Sequence, residues 1–176
     1  MNYLKKIIVL FTLILFGCQT LTTTPVEIIH SPEVTYTGKG AGAGIALMSA
    51  MGPSGIAIGA AIDAGIGKEI QSTINYQEIE SQLTSIIIQH NALQLQNKKI
   101  QLLKINKLKF QSVSGEKDPT AVIIDGSITF INGEIYVFDN TKTENNTSRP
   151  LEKLKTKNHV TDELIISTLN DYLSRI

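Results

Sequence analysis

The sequence predicts an α+β fold: a small antiparallel sheet with two amphipathic helices, preceded by a glycine-rich apolar helical hairpin. Three observations predict it. Residues 122–138 alternate apolar and polar positions on both sides of Asn132-Gly133, the pattern of a β-hairpin. Residues 79–87 and 165–176 carry apolar side chains at helical spacing. Nine of the thirteen glycines fall between Gly38 and Gly67, in an apolar stretch broken once by Gly52-Pro53-Ser54-Gly55.

The chain has 176 residues, enough for one domain with a modest core. Sixteen basic residues balance sixteen acidic ones. Lys5 and Lys6 fall in an N-terminal segment read below as removable. The remaining 159 residues, Cys18 to Ile176, therefore carry fourteen basic against sixteen acidic groups, or −2. This balance argues against a nucleic-acid partner, which selects a basic face. A single cysteine excludes an intramolecular disulfide framework and a cysteine-based zinc site.

Residues 1–17 read as a signal peptide. Lys5 and Lys6 give a basic start, and IIVLFTLILF from Ile7 to Phe16 is a short apolar run. Ten such residues cannot span about 30 Å of hydrocarbon. The only cysteine ends the run. Leu15-Phe16-Gly17-Cys18 resembles the lipobox of bacterial lipoproteins, although Phe16 is bulkier than the residue usual at that place. The resemblance implies cleavage before Cys18 and a covalent lipid on it, which is the only cofactor expected. Several acyl chains at ~0.8 kcal/mol per buried CH₂ make a lasting anchor. Gln19, rather than Asp, implies sorting to the outer membrane in an enteric-type envelope.

Residues 18–33 read as a tether, polar and interrupted by Pro25 and Pro32. Residues 34–70 form the next unit. Val34–Thr37 is β-prone and predicts a short strand. Between Lys39 and Asp63 lie 23 residues without a charge. The Gly-Pro-Ser-Gly turn divides them into two arms, roughly Gly40 to Met51 and Gly55 to Gly67. Each arm is about 18 Å long at 1.5 Å per residue, too short to cross a bilayer.

The glycines step by four: Gly40 and Gly44 on the first arm, then Gly55, Gly59 and Gly67 with Asp63 between them. Residues four apart share a helix face, so they predict a packing face where backbones approach closely. Glycine costs about 1 kcal/mol against alanine in a helix, so this many need a packing reason. Ile45, Met48, Ile56, Ile58, Ile62 and Ile66 lie on other faces. The pattern resembles the glycine-zipper hairpins of outer-membrane lipoproteins, among them the plasmid-encoded surface-exclusion and serum-resistance group. It resembles them over residues 38–67 only. Asp63 has two readings: a polar spot near the exposed end of its arm beside Lys68, or a polar contact inside an oligomeric or membrane-embedded bundle.

Two nucleotide motifs are excluded. Gly38-x-Gly40-x-x-Ala43 lacks the following βαβ unit and the acidic residue that a dinucleotide site needs. Gly67-Lys68 lacks the Ser/Thr and the leading glycine of a phosphate loop.

Residues 71–176 form the α+β domain. Ile79, Leu83, Ile86 and Ile87 mark a helix over 76–90. Leu103 and Ile105 alternate in one phase and Leu108 and Phe110 in the other, which predicts a bulged strand. Strands over 122–131 and 134–138 follow. Residues 139–158 read as a hydrophilic loop. A last helix carries Ile165, Leu169, Tyr172 and Ile176, with Thr161 or Asn158 as its cap.

No catalytic constellation is visible. His30, His90 and His159 are scattered, and no HExxH or GxSxG motif occurs. Asn145-Asn146-Thr147 matches a glycosylation acceptor, which a bacterial lipobox makes incidental. The expected function is a non-enzymatic, lipid-anchored structural or interaction module of the outer membrane. Membrane lipid, an envelope protein and a second copy through the hairpin are the expected partners. The rivals are a membrane-active oligomer of hairpins and an envelope enzyme with no recognisable motif.

Overall fold

The computed structural model describes residues 26–29, 33–113, 118–139 and 147–176. Two short strands come first, β1 (Glu27–Ile29) and β2 (Val34–Thr37). The hairpin helices α1 (Lys39–Met51) and α2 (Pro53–Gln71) follow, then α3 (Tyr76–Leu93). The long strands β3 (Ile100–Ser112) and β4 (Pro119–Phe130) lead to β5 (Ile135–Asp139). The chain ends in β6 (Ser148–Pro150), the single turn α4 (Leu151–Leu154) and α5 (Val160–Leu173).

The six strands form one mixed sheet, not the antiparallel sheet that the sequence predicts. Antiparallel β3 and β4 are its centre, and β5 and β6 share the far edge of β4. On the other side, β1 and β2 lie one after the other along β3, both parallel to it. The reason is topological. A parallel pair needs a crossover of a dozen or more residues. Here α1, α2 and α3 together form that crossover between β2 and β3.

Two further corrections concern short elements. The predicted tether, residues 18–33, contains β1, paired from Glu27↔Leu102 to Ile29↔Lys104. Three residues are too few to display alternation. The predicted loop at 139–158 contains β6 and α4, whose Leu151 and Leu154 are fully buried. An isolated pair of leucines shows no period, so only the tertiary structure reveals it.

One face of the sheet carries the core. Leu103, Ile105, Leu108 and Phe110 of β3 and Val122, Ile124 and Ile128 of β4 are buried in one cluster with Ile79, Leu83 and Ile87 of α3. Leu164, Ile165, Leu169 and Leu173 of α5 complete it. The register of β3 slips between Ile105 and Lys107, where its apolar phase switches. Gly126 is a true close approach. A Cβ there would overlap the carbonyl oxygen of Lys104 and meet the Phe138 ring at 2.6 Å. That space lets Phe138 lie against Tyr172 of α5, centroid to centroid at 4.8 Å.

The start of α5 differs from the expected caps. His159 occupies the cap position in the left-handed region, φ 61°, and makes no side-chain cap bond. Asn158 Oδ1 accepts from the Val160 N–H at 3.2 Å. The Thr161 hydroxyl donates to the Leu154 carbonyl at 3.0 Å instead of capping the helix.

Candidate functional site: an inverted glycine hairpin

The turn between α1 and α2 is a single residue. Gly52 adopts φ 57° and donates to the Met48 carbonyl at 2.9 Å, and Pro53 starts α2 where a missing N–H costs nothing. At 1.5 Å per residue α1 is about 20 Å long and α2 about 28 Å. Among the described residues, no helix is long and apolar enough to cross a membrane.

In α1 the buried residues are Gly40 and Gly44; in α2 they are Gly55, Gly59, Asp63, Gly67 and Ile70. Ile70 belongs to the core of the sheet domain. Within the paired arms, then, the interior is glycine and one aspartate. A Cβ at Gly40 would overlap the Gly59 carbonyl, and one at Gly59 would overlap the Gly40 carbonyl. At Gly55 it would lie 2.6 Å from the backbone of Leu47 and Met48. Gly44 is looser, with its nearest neighbour at 3.3 Å. Gly67 faces a different partner. It lies against β2, where a Cβ would meet Tyr36 N and Val34 O at 3.3 Å. Gly42 and Gly65, off the step of four, face open space.

Asp63 is not a polar spot at an exposed end beside Lys68, the first of its two readings; its contact lies within the hairpin itself. It is 8% exposed and accepts from the Gly40 N–H at 2.7 Å and the Gly38 N–H at 3.2 Å. The cap position of α1 is Gly38, which has no side chain to offer. The carboxylate therefore caps α1 from the neighbouring helix, meeting both its free N–H groups and the positive end of its dipole. A partner 23 to 25 residues away leaves no local signature.

The base of the hairpin is clamped by charge. The Lys39 ammonium lies 2.8 Å from the Asp118 carboxylate, whose hydrogen bond raises the lysine above its ordinary range. Lys155 lies 2.9 Å from Glu69 and is raised by the same kind of bond. Beyond this collar the outer surface is apolar. Ile45 is 73% exposed, Ile56 55%, and Met48 and Met51 51% each. Ile58 and Ile62 are exposed as well.

A second concave region lies where the α2–α3 connection meets the start of α5. Thr73, Asn75, Tyr76, Lys157, His159 and Asp162 line a cavity of about 490 Å³. Asp162 Oδ1 accepts from the Asn75 N–H at 3.0 Å, and Oδ2 lies 3.7 Å from His159 Nδ1. Burial raises this carboxyl above its ordinary value. The alternation of the sequence gives no hint of this pair, because it joins a helix start to a loop.

Cys18 and Gln19 lie outside the described residues. Comparison with protein-family models, with curated proteins and with solved structures found no match.

Proposed function

We propose that the chain is a lipid-anchored, non-enzymatic interaction module of the bacterial outer membrane, and that the hairpin is its working part. The anchor rests on the Leu-Phe-Gly-Cys motif at Cys18 and the address on Gln19. One observation carries the role of the hairpin: its large apolar side chains point outward while glycine fills its interior. Fully burying one Ile or Met contributes roughly 1.5–3 kcal/mol. Leaving six of them exposed is a cost that a lipid or protein surface removes. Large exposed apolar patches mark such sites.

The experiment is metabolic labelling with palmitate, followed by density-gradient fractionation. Wild type takes up label and sediments with outer membranes, and Cys18→Ala does not label. Gln19→Asp shifts the protein to inner-membrane fractions in an enteric-type host. An unlabelled wild type overturns the anchored reading.

A second reading, a membrane-active oligomer, draws on a different observation. Gly42, Ala46 and Ala50 of α1 and Ala57, Ala61 and Gly65 of α2 are all exposed, and each set steps by four. They offer small-residue faces on which neighbouring hairpins could pack. Detergent-resistant oligomers and dye release from liposomes distinguish this reading from the first.

A further inference from the structure

The hairpin and the start of β1 lie at opposite ends of β3. Strand β1 pairs with Leu102–Lys104, and β2 with Leu108–Gln111, both parallel to β3. The chain before Glu27 therefore departs from the Leu102 end. The hairpin starts at the other end, with Gly38 beside Ser112. Asp63 of α2 reaches Gly38 and Gly40, while Gly67 reaches Val34 and Tyr36. So α2 returns antiparallel to β2, and the tip at Gly52 extends the line of β2 away from β1.

Distances follow from the register. From the level of Glu27 to that of Thr37 is nine residues of β3, about 30 Å at 3.3 Å each. Cys18 also stands nine residues before Glu27. Only a segment doubled back at Glu27 and stretched to its covalent limit, about 32 Å, would bring Cys18 level with the base of the hairpin.

The shaft itself is built for lipid. It is uncharged from Gly40 to Ile62, and its collar of Lys39, Lys68, Glu69 and Lys155 lies only at the base. The uncharged shaft is about 18 Å long at 1.5 Å per residue, which matches one leaflet of a hydrocarbon core about 30 Å thick. A protein partner would cover its sides but has no need of an apolar tip, and Met51 at the tip is 51% exposed.

We propose that the hairpin enters a lipid leaflet other than the one that holds the acyl chains of Cys18, so that the domain bridges two lipid surfaces. The inference rests on the lipid-anchored reading above.

The chain has no tryptophan, so Met51→Trp places a single reporter at the tip. The full-length protein is purified from membranes, the mass of its N-terminal peptide is measured, and the protein is placed in phosphatidylcholine–phosphatidylglycerol donor vesicles. Acceptor vesicles of the same lipids are then added. Brominated acyl chains, which quench tryptophan, are put in either the donor or the acceptor set. The expected result is loss of most tryptophan emission with brominated acceptors, none with brominated donors, and co-flotation of the two sets. Ile56→Trp is the second reporter, in case the first perturbs the turn. Quenching by donors alone puts the hairpin beside its own lipid and overturns the inference while leaving the anchor intact. Quenching by neither means that protein, such as a second copy, covers the shaft, and also overturns it. A Cys18 without lipid overturns the anchored reading, and this inference with it.

Discussion

The hairpin and the sheet domain bury opposite things. In the sheet domain Leu83, Ile87, Leu103, Ile124 and Leu164 are fully enclosed, and water is excluded by side chains. In the hairpin the enclosed groups are main chain, and the side chains that would ordinarily drive folding face outward. The first arrangement draws its stability from burial within the chain. The second has little such burial and carries seven helical glycines, each costing about 1 kcal/mol against alanine. Close backbone contact, one borrowed cap and the clamps at the base hold it together. The comparison teaches that one chain can contain a self-sufficient unit and a unit that is completed from outside.

Substitutions can break this comparison, and the largest effect belongs to the sheet domain. Leu83→Ala should lower the stability of the whole fold by about 3 kcal/mol, since a fully buried leucine leaves a cavity. Chemical denaturation followed by circular dichroism reads it, and a loss under about 1 kcal/mol would contradict a tight core.

Gly59→Leu comes next. Overpacking two touching backbones should cost about 2–3 kcal/mol, localised to α1 and α2. Amide hydrogen exchange should show the two arms opening while β3 and β4 stay protected. Gly59→Ala should cost less than leucine but still destabilise. Wild-type protection in the leucine variant would mean that the arms do not touch there.

Asp63→Ala leaves the Gly38 and Gly40 N–H groups without their acceptor, and should cost about 1–2 kcal/mol. Loss of protection should begin at the start of α1. If exchange there is unchanged, the carboxylate is not the cap.

Gly65→Ala sharpens the contrast from the other side. Its Cβ meets nothing, so the change should stabilise α2 by roughly 0.5–1 kcal/mol through helix propensity alone. A destabilised variant would show that this face is packed in the folded molecule.

The smallest effect is a pH dependence. Burial raises the Asp162 carboxyl in the folded state, so the folded state binds more protons than the unfolded one just above the ordinary carboxylate range. The stability owed to this group is therefore full at low pH and declines as pH rises through that window. Asp162→Asn keeps an oxygen for the Asn75 N–H and removes the titration. Its stability should decline less than that of wild type as pH rises from 4 to 6, measured by thermal unfolding in matched buffers.

Elements with a period were legible in the sequence, and elements defined by a partner were not. The stripes Ile79–Leu83–Ile87 and Ile165–Leu169–Tyr172 mark α3 and α5 because a helix repeats its face. Asn132-Gly133 marks the β4–β5 turn because Gly133 takes a left-handed backbone, φ 83°, that few other residues accept. The parallel pairing of β1 and β2 was not legible, since a strand of three or four residues carries no sign of its neighbour's direction. The glycine step of four shows the same limit within the site. It identifies a smooth face at Gly55, Gly59 and Gly67, but not that Gly67 would meet β2 while the others meet α1. Asp63 is the clearest case. Its neighbours in sequence suggest a charge to be hidden or solvated, and its role depends on a helix start 23 residues earlier.

The borrowed cap also makes the two arms depend on one another. A helix of thirteen residues is marginal on its own, and α1 is rich in glycine and has no cap of its own. The carboxylate that completes residues 39–51 stands on the other arm. Without Asp63 and α2, the first arm has neither a cap nor a second backbone to lean on, and nothing arrays its isoleucine and methionines on a rod. The apolar shaft therefore exists only while α2 lies folded back along the first arm. Without that contact the chain carries the composition of a greasy surface without the surface itself.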